Sequence, residues 1–100
     1  MKVAIASEGR DENSMVSNIG GRAPYYLIFE NGKLVEVISN PFRIGGGGAG
    51  FSVARMLADR GVNKVIAGRM GPNMRAALLE RGVKAVELSG ISVKQALERA

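Results

Sequence analysis

One stretch decides the fold, and it is Tyr25-Tyr26-Leu27-Ile28-Phe29-Glu30-Asn31-Gly32-Lys33-Leu34-Val35-Glu36-Val37-Ile38-Ser39. Its two arms are rich in aromatic and β-branched residues, which is typical of β-strands. Asn31-Gly32 between them is a strong hairpin signal, because a type I′ turn needs positive φ at both central positions. The second arm carries Glu36 among apolar neighbours, so we expect it at the edge of a sheet.

Two further strands have a different character, because they are continuous apolar runs without alternation. Lys2–Ser7 contains Val-Ala-Ile-Ala, and residues 64–68 contain Val-Ile-Ala. Such runs indicate strands that are buried on both faces. A last short strand is expected at residues 84–88.

Three helices are predicted in the second half of the chain. The first is expected at residues 51–60, with an apolar face made by Phe51, Ala54, Leu57 and Ala58. The second begins at Pro72, since proline is favoured at the first position of a helix. The third follows Ser92, which forms a capping-box pattern with Gln95.

The order of these elements is β-β-β-α-β-α-β-α. Right-handed crossovers then favour a five-stranded mixed sheet of order 3-2-1-4-5, with strand 2 antiparallel to the others. The fold class is therefore α/β. The chain of 100 residues is close to the common size of one domain, so we expect a single domain over residues 1–100.

Composition excludes several kinds of chemistry. The sequence has no cysteine and no histidine, so thiolate ligands, zinc sites and histidine acid–base catalysis are ruled out. No catalytic residue and no metal ligand is predicted. The N-terminus lacks a long apolar run, which predicts a cytoplasmic protein without a membrane segment. The net charge is +5, and arginine supplies nine of the fourteen cations.

The predicted topology brings several loops to one edge of the sheet. The loops after strands 1, 3 and 4 meet there, and ligands of open α/β sheets favour this edge. They carry five arginines, namely Arg10, Arg22, Arg43, Arg69 and Arg75. Two helix N-termini lie at the same edge, and their free N–H groups attract anions.

This juxtaposition predicts an anion pocket at the sheet edge. The residues expected to hold the anion are Arg22, Arg43, Gly46, Gly47, Gly48, Arg69, Gly71 and Asn73. The alternative interpretations are a flexible connector for the glycine run and a solvated surface position for each arginine.

Phosphate-binding motifs fit poorly. Gly45, Gly47 and Gly50 match G-x-G-x-x-G, but the acidic residue of a dinucleotide site is missing near Met70. Gly50 is followed by Phe-Ser and not by Lys-Ser or Lys-Thr, which argues against a Walker loop. Two-metal hydrolysis needs clustered carboxylates, and strands 1 and 4 offer none.

Three motifs carry a family resemblance. They are Met15-Val16-Ser17 with Gly21-Arg22-Ala23-Pro24-Tyr25-Tyr26, Asn40-Pro41-Phe42 with Gly47-Gly48-Ala49-Gly50, and Gly68-x-x-Gly71-Pro72-Asn73 with Gly82-Val83. Together they resemble the signatures of the dinitrogenase iron–molybdenum cofactor biosynthesis family, whose members include free-standing carriers and the C-terminal domain of the cofactor-assembly enzyme NifB.

The resemblance implies a ribonuclease H-like three-layer fold without nuclease activity. It also implies a role in binding, storing or handing over the iron–molybdenum cofactor or an iron–sulfur precursor, together with a protein partner in cofactor assembly. Family members often carry histidine where this chain has Ile19, and again in the loop around Arg43. Because histidine and cysteine are missing here, capture would depend on arginines and backbone N–H groups.

These observations predict a non-catalytic carrier for an anionic metallocofactor or a similar small anion. The alternative is a basic adaptor domain that binds nucleic acid or a protein partner. The five aromatic residues lie mostly on strands, so base stacking has little support and nucleic acid is the weaker alternative.

Overall fold

The computed structural model describes residues 1–45 and 47–100, so Gly46 of the expected pocket lies outside the described residues. The elements, in chain order, are β1 (Lys2–Ser7), β2 (Tyr25–Glu30), β3 (Lys33–Ser39), α1 (Ala49–Asp59), β4 (Lys64–Ala67), α2 (Pro72–Glu80), β5 (Lys84–Glu87) and α3 (Val93–Glu98).

The sheet confirms the predicted topology. Its order is β3-β2-β1-β4-β5. The pairs β1–β2 and β2–β3 are antiparallel, whereas β1–β4 and β4–β5 are parallel. The two continuous apolar strands, β1 and β4, are therefore neighbours in the middle of the sheet, where both faces are covered.

The hairpin forms as its turn sequence requires. Asn31 has φ 51° and Gly32 has φ 84°, and Glu30 pairs with Lys33 across the turn. The register shifts farther along, because Ile28 pairs with Glu36 and Phe29 pairs with Leu34. The extra residue in β3 is a bulge, which twists this exposed edge strand and discourages pairing with another chain.

Replacing Gly32 with alanine should lower the free energy of unfolding by about 1 kcal/mol, because an L side chain is strained at positive φ. The measurement is a urea denaturation curve. Gly47→Ala is the matched control, since Gly47 is not one of the glycines with positive φ and an added Cβ would meet no heavy atom within 4 Å. Equal midpoints for the two variants would contradict the assignment of strain to the turn.

Two apolar cores lie on opposite faces of the sheet. Alternate β1 residues face opposite ways, so Ala4 and Ala6 pack with the buried residues of α1 and α2. Val3 and Ile5 pack with Val93 and Ala96 of α3. The arrangement is therefore three layers, with two helices on one face and one helix on the other.

The buried face of α1 corrects one expectation. Phe51 was expected in the core, but its side chain is 49% exposed, and Val53 is fully buried with Ala54 and Leu57. Successive residues turn by about 100° around a helix, so Phe51 lies about 160° away from Val53. Because Val53, Ala54 and Leu57 already face the sheet, Phe51 is directed away from it.

Within residues 1–45 and 47–100, none of the helices has the length and apolar character needed to cross a membrane.

Candidate functional site

A hollow of about 260 Å³ opens between the segments that follow β1, β3 and β4. We call it the rim hollow. Its lining comprises Ile19, Gly21, Arg22, Gly48, Ala49, Gly50, Gly71, Pro72, Asn73 and Met74. The expected meeting of three distant loops therefore takes place.

Two helices begin at the rim hollow. The N-cap of α1 is Gly48 and the N-cap of α2 is Gly71, and neither helix has a side-chain cap or an acidic residue in its first turn. The first N–H groups of a helix have no partner within the helix, and the positive end of its dipole lies there. No Asp or Glu occurs among the described lining residues, so both helix ends favour an anion.

Close backbone packing brings the two helix ends together. A Cβ on Gly50 would lie 3.0 Å from the Cβ of Met74, and a Cβ on Gly21 would lie 3.3 Å from the backbone nitrogen of Gly50. These distances are tight for real Cβ atoms. The glycines thus allow the loop after β1, the start of α1 and the start of α2 to meet.

Arg22 borders the rim hollow and two adjoining hollows of about 100 and 220 Å³. Its side chain is half-buried, and Nη1 donates a hydrogen bond to the carbonyl oxygen of Phe42 at 3.3 Å. Gly47 lines the smaller of the adjoining hollows, and exposed Arg43 lines the larger one. Arg22 therefore borders all three spaces.

Asn40 holds the loop that carries Arg22. Its buried side-chain amide donates to the carbonyl oxygens of Gly21 at 3.2 Å and Ala23 at 2.9 Å, and its Oδ1 accepts from the N–H of Phe42 at 3.0 Å. The sequence-based site did not include Asn40. The signal was present, because an asparagine at a strand end often bonds to the backbone two residues on.

Tyr26 gives the same loop a second attachment. Its hydroxyl donates to the carbonyl oxygen of Gly20, and burial raises the pKa of Tyr26 far above its ordinary value. The hydroxyl therefore stays protonated and serves as a hydrogen-bond donor.

The five arginines expected at one edge divide into separate groups. Arg22 and Arg43 border the hollows, whereas the guanidinium of Arg10 lies 5.4 Å from the ring centroid of Tyr25. Arg75 pairs with Glu87, with Nη1 3.1 Å from Oε2. Arg69 is close enough to Glu87 to act on its charge.

Glu87 is the last residue of β5, and its carboxylate is hydrogen-bonded to the turn before α2. Its Oε2 accepts the N–H of Met70 at 2.8 Å. That hydrogen bond is the main reason why the pKa of Glu87 lies below its ordinary value, and Arg75 and Arg69 lower it further. β5 is parallel to β4 and ends at the same edge, which is a signal that the sequence analysis did not use.

Replacing Glu87 with glutamine should make the stability of the protein depend less on pH at the acid end of the pH range. The pKa of Glu87 is lower in the folded state, so its stabilising contribution is present above the ordinary glutamate pKa of about 4.3 and is lost as the pH falls towards the folded value. Glutamine still accepts the Met70 N–H but does not titrate.

Urea midpoints between about pH 5 and 3 test this prediction. The urea midpoint of the wild-type protein should fall further over this pH range than the midpoint of Glu87→Gln. Glu80→Gln, at an exposed position, should follow the wild type. Parallel profiles for all three proteins would contradict the proposed contribution of Glu87.

Metal ligation finds little support in the side chains. No group of three His, Cys, Asp or Glu side chains that could hold a metal occurs among the described residues, and the sequence lacks His and Cys altogether. Thiolate and imidazole are the usual ligands of iron–sulfur centres and many transition metals. The donors at the hollow suit an anion held by charge and hydrogen bonds.

These features define a small mixed-sheet α/β domain with an electropositive hollow at its sheet edge. The chain belongs to the dinitrogenase iron-molybdenum cofactor family, whose model matches residues 1–100.

Solved structures support the same placement. The apo form of the orange protein from Desulfovibrio gigas is 28% identical with a TM-score of 0.91, and the match covers 98% of this chain and 84% of that one. A candidate NifB protein from Thermotoga is 35% identical with a TM-score of 0.82, and the match covers 97% of this chain and 84% of that one. The sequence of an uncharacterized protein of Methanocaldococcus jannaschii is also similar. It is 28% identical over 102 residues, and the match covers 98% of this chain and 83% of that protein.

Proposed function

We propose that this protein binds a small anionic metallocofactor, of the iron–molybdenum or iron–sulfur precursor kind, and carries it without catalysing a reaction on it. The family is that of the dinitrogenase iron-molybdenum cofactor. The similar orange protein was solved in its apo form, which is the form of a binding protein without its ligand. Both facts support a carrier.

The observation that carries the proposal is the meeting of two uncapped helix N-termini and Arg22 at one hollow. Each helix end acts as roughly half a positive charge, and Arg22 adds a full one. Hydrogen bonds to a charged group are stronger than those between neutral groups. An anion placed there would replace the missing caps of both helices.

Each residue of the proposed site has a distinct role. Arg22 and Arg43 supply charge, and Asn73 supplies a side-chain hydrogen bond. Backbone N–H groups come from the glycines, which are Gly46, Gly47, Gly48 and Gly71. Gly46 is included on the sequence alone. Arg69 has a secondary role, because Glu87 offsets part of its charge.

The same proposal treats residues 1–100 as one domain that works in the cytoplasm. Both apolar cores are built on a single sheet, which supports one folding unit. A relationship to the ribonuclease H fold, without nuclease activity, remains the family-based prediction for this architecture.

Anaerobic titration with tetrathiomolybdate, a dianion of molybdenum and sulfur, tests the proposal. We expect saturable uptake that survives desalting, seen as visible absorbance that travels with the protein. Uptake should weaken as salt is raised, because screening reduces the attraction between charges. No retained absorbance at low salt would contradict the carrier.

A random single-stranded oligonucleotide provides the test of the adaptor alternative. If the oligonucleotide binds tightly and tetrathiomolybdate does not, the basic surface serves nucleic acid. The carrier proposal expects the reverse, since Tyr26 and Phe29 are buried in the core and Phe51 alone of the five aromatic residues is exposed, which is sparse for base stacking.

A further inference from the structure

The tip of the β2–β3 hairpin, Asn31-Gly32, lies at the opposite end of the sheet from the rim hollow. β2 begins at Tyr25, just after the loop that carries Arg22, and runs away from that loop to Glu30. Both tip residues are exposed, and a Cβ added to Gly32 would meet no heavy atom within 4 Å. Water and hydroxide therefore have open access to the tip.

Asn31 is fixed by two hydrogen bonds to Met1. Its N–H donates to the carbonyl oxygen of Met1 at 3.1 Å, and its Oδ1 accepts from the amino group of Met1 at 3.0 Å. A hydrogen bond from a charged donor is stronger than one from a neutral donor, and it draws electron density from the accepting carbonyl. The side-chain carbon Cγ of Asn31 is therefore a better electrophile.

Gly32 supplies a nucleophile next to that carbon. Its backbone nitrogen follows Asn31 directly, so attack on Cγ closes a five-membered ring. In the part of the chain that the structure describes, the N–H of Gly32 has no hydrogen-bond acceptor. Glycine also lacks a Cβ that would crowd the attack or restrict the backbone rotation that it needs. Sequence and structure thus place an exposed electrophile beside an uncommitted nucleophile.

We propose that Asn31 is a site of spontaneous deamidation, in which water converts its side-chain amide into a carboxylate. Hydroxide removes the proton of the Gly32 N–H, the nitrogen bonds to Cγ of Asn31, and the bond from Cγ to Nδ2 breaks with release of ammonia. Water then adds to either carbonyl of the succinimide and reopens the ring as aspartate or isoaspartate. The step needs no oxidant or reductant. It goes beyond the proposed cargo function and involves different residues.

The isoaspartate product would alter the hairpin, because it routes the main chain through the former side chain and adds an atom to the turn. A two-residue turn matches the twist of its strands only with its normal backbone. β3 is the terminal strand of the sheet, so we expect it to lose order and the urea midpoint to fall. The aspartate product should keep the turn, because aspartate also tolerates positive φ.

Incubation of the folded protein in mildly alkaline buffer, followed by peptide mapping with mass spectrometry, tests the proposal. Asn31 should be converted at least tenfold faster than Asn18 and Asn73. These two asparagines are also exposed, but Ile19 and Met74 follow them, and their side chains crowd the attacking nitrogen. Labelling with an isoaspartate-specific carboxyl methyltransferase should identify isoaspartate at position 31.

Gly32→Ala is the variant that isolates the chemistry. We expect at least fivefold slower conversion of Asn31, because the added Cβ hinders the attacking nitrogen. Alanine also strains a turn that needs positive φ, and a hairpin that opens more often would react faster. Slower conversion in this variant therefore comes from hindered attack and not from a loss of folding.

Three results would overturn the inference. They are equal rates at Asn31, Asn18 and Asn73, conversion of Asn31 only after the protein is unfolded in urea, and an unchanged rate in Gly32→Ala. The reaction is followed without any added ligand, whereas the carrier proposal is tested by tetrathiomolybdate uptake. The two proposals can therefore fail independently.

Discussion

Replacing Arg22 with alanine should weaken tetrathiomolybdate binding roughly 10- to 100-fold. A hydrogen bond to a charged group contributes about 1.5–3 kcal/mol, and about 1.4 kcal/mol corresponds to a factor of ten. Arg22 borders all three hollows and is half-buried, so its charge is screened less by solvent than that of an exposed arginine. The measurement is the dissociation constant from the anaerobic absorbance titration.

Matched variants separate a local effect from a loss of overall charge. Arg81→Ala removes the same charge from an exposed position at the end of α2 and should bind like the wild type. Arg22→Lys keeps the charge but loses the planar fork, so its affinity should fall between the two. Arg43→Ala should have a smaller effect than Arg22→Ala because Arg43 is exposed. Equal affinities for Arg22→Ala and Arg81→Ala would show that Arg22 does not contribute to the anion site.

Replacing Asn40 with alanine should lower the free energy of unfolding by about 2–4 kcal/mol. Three hydrogen bonds to the backbone are lost, and each buried group left without a partner costs about 1–3 kcal/mol, partly offset by relaxation. In a domain of this size 1 kcal/mol lowers Tm by about 4–8 °C. Urea and thermal denaturation measure both quantities, and anion binding should weaken because Asn40 positions the Arg22 loop.

Asn40→Asp is the sharper version of this experiment. Aspartate has nearly the same shape and can still accept the Phe42 N–H, but its ionised form cannot donate to the carbonyl oxygens of Gly21 and Ala23. We expect Asn40→Asp to be at least as unstable as Asn40→Ala near pH 7. Asn73→Ala, at an exposed position, should stay within about 0.5 kcal/mol of the wild type. Wild-type stability in both Asn40 variants would contradict the role of this side chain.

The fold was largely predictable because its determinants are local. Asn31-Gly32 determined the hairpin, and the Ser92–Gln95 capping box forms at α3 as its spacing indicated. The uninterrupted apolar runs of β1 and β4 predicted a central position, since only a strand covered on both faces tolerates them. The error at Phe51 arose because helical spacing shows which residues share a face, but several faces of α1 carry apolar residues.

The candidate site was predictable only in outline. The rule that parallel strands end at one edge brought Arg22 and Arg43 into the same region as Gly48, Gly71 and Asn73, and the structure places all of them along adjoining hollows. Asn40 was missed because its hydrogen-bond partners Gly21 and Ala23 are 19 and 17 residues away.

The sequence alone determined which elements form, their order in the sheet, the absence of histidine and cysteine chemistry, and the excess of arginine. Tertiary structure decided which arginines remain at the hollow. Arg75 pairs with Glu87 at the end of β5, whereas Arg22 lines the rim hollow. Charge pairing depends on distances of a few ångströms across the fold, and residue spacing along the chain does not specify such distances.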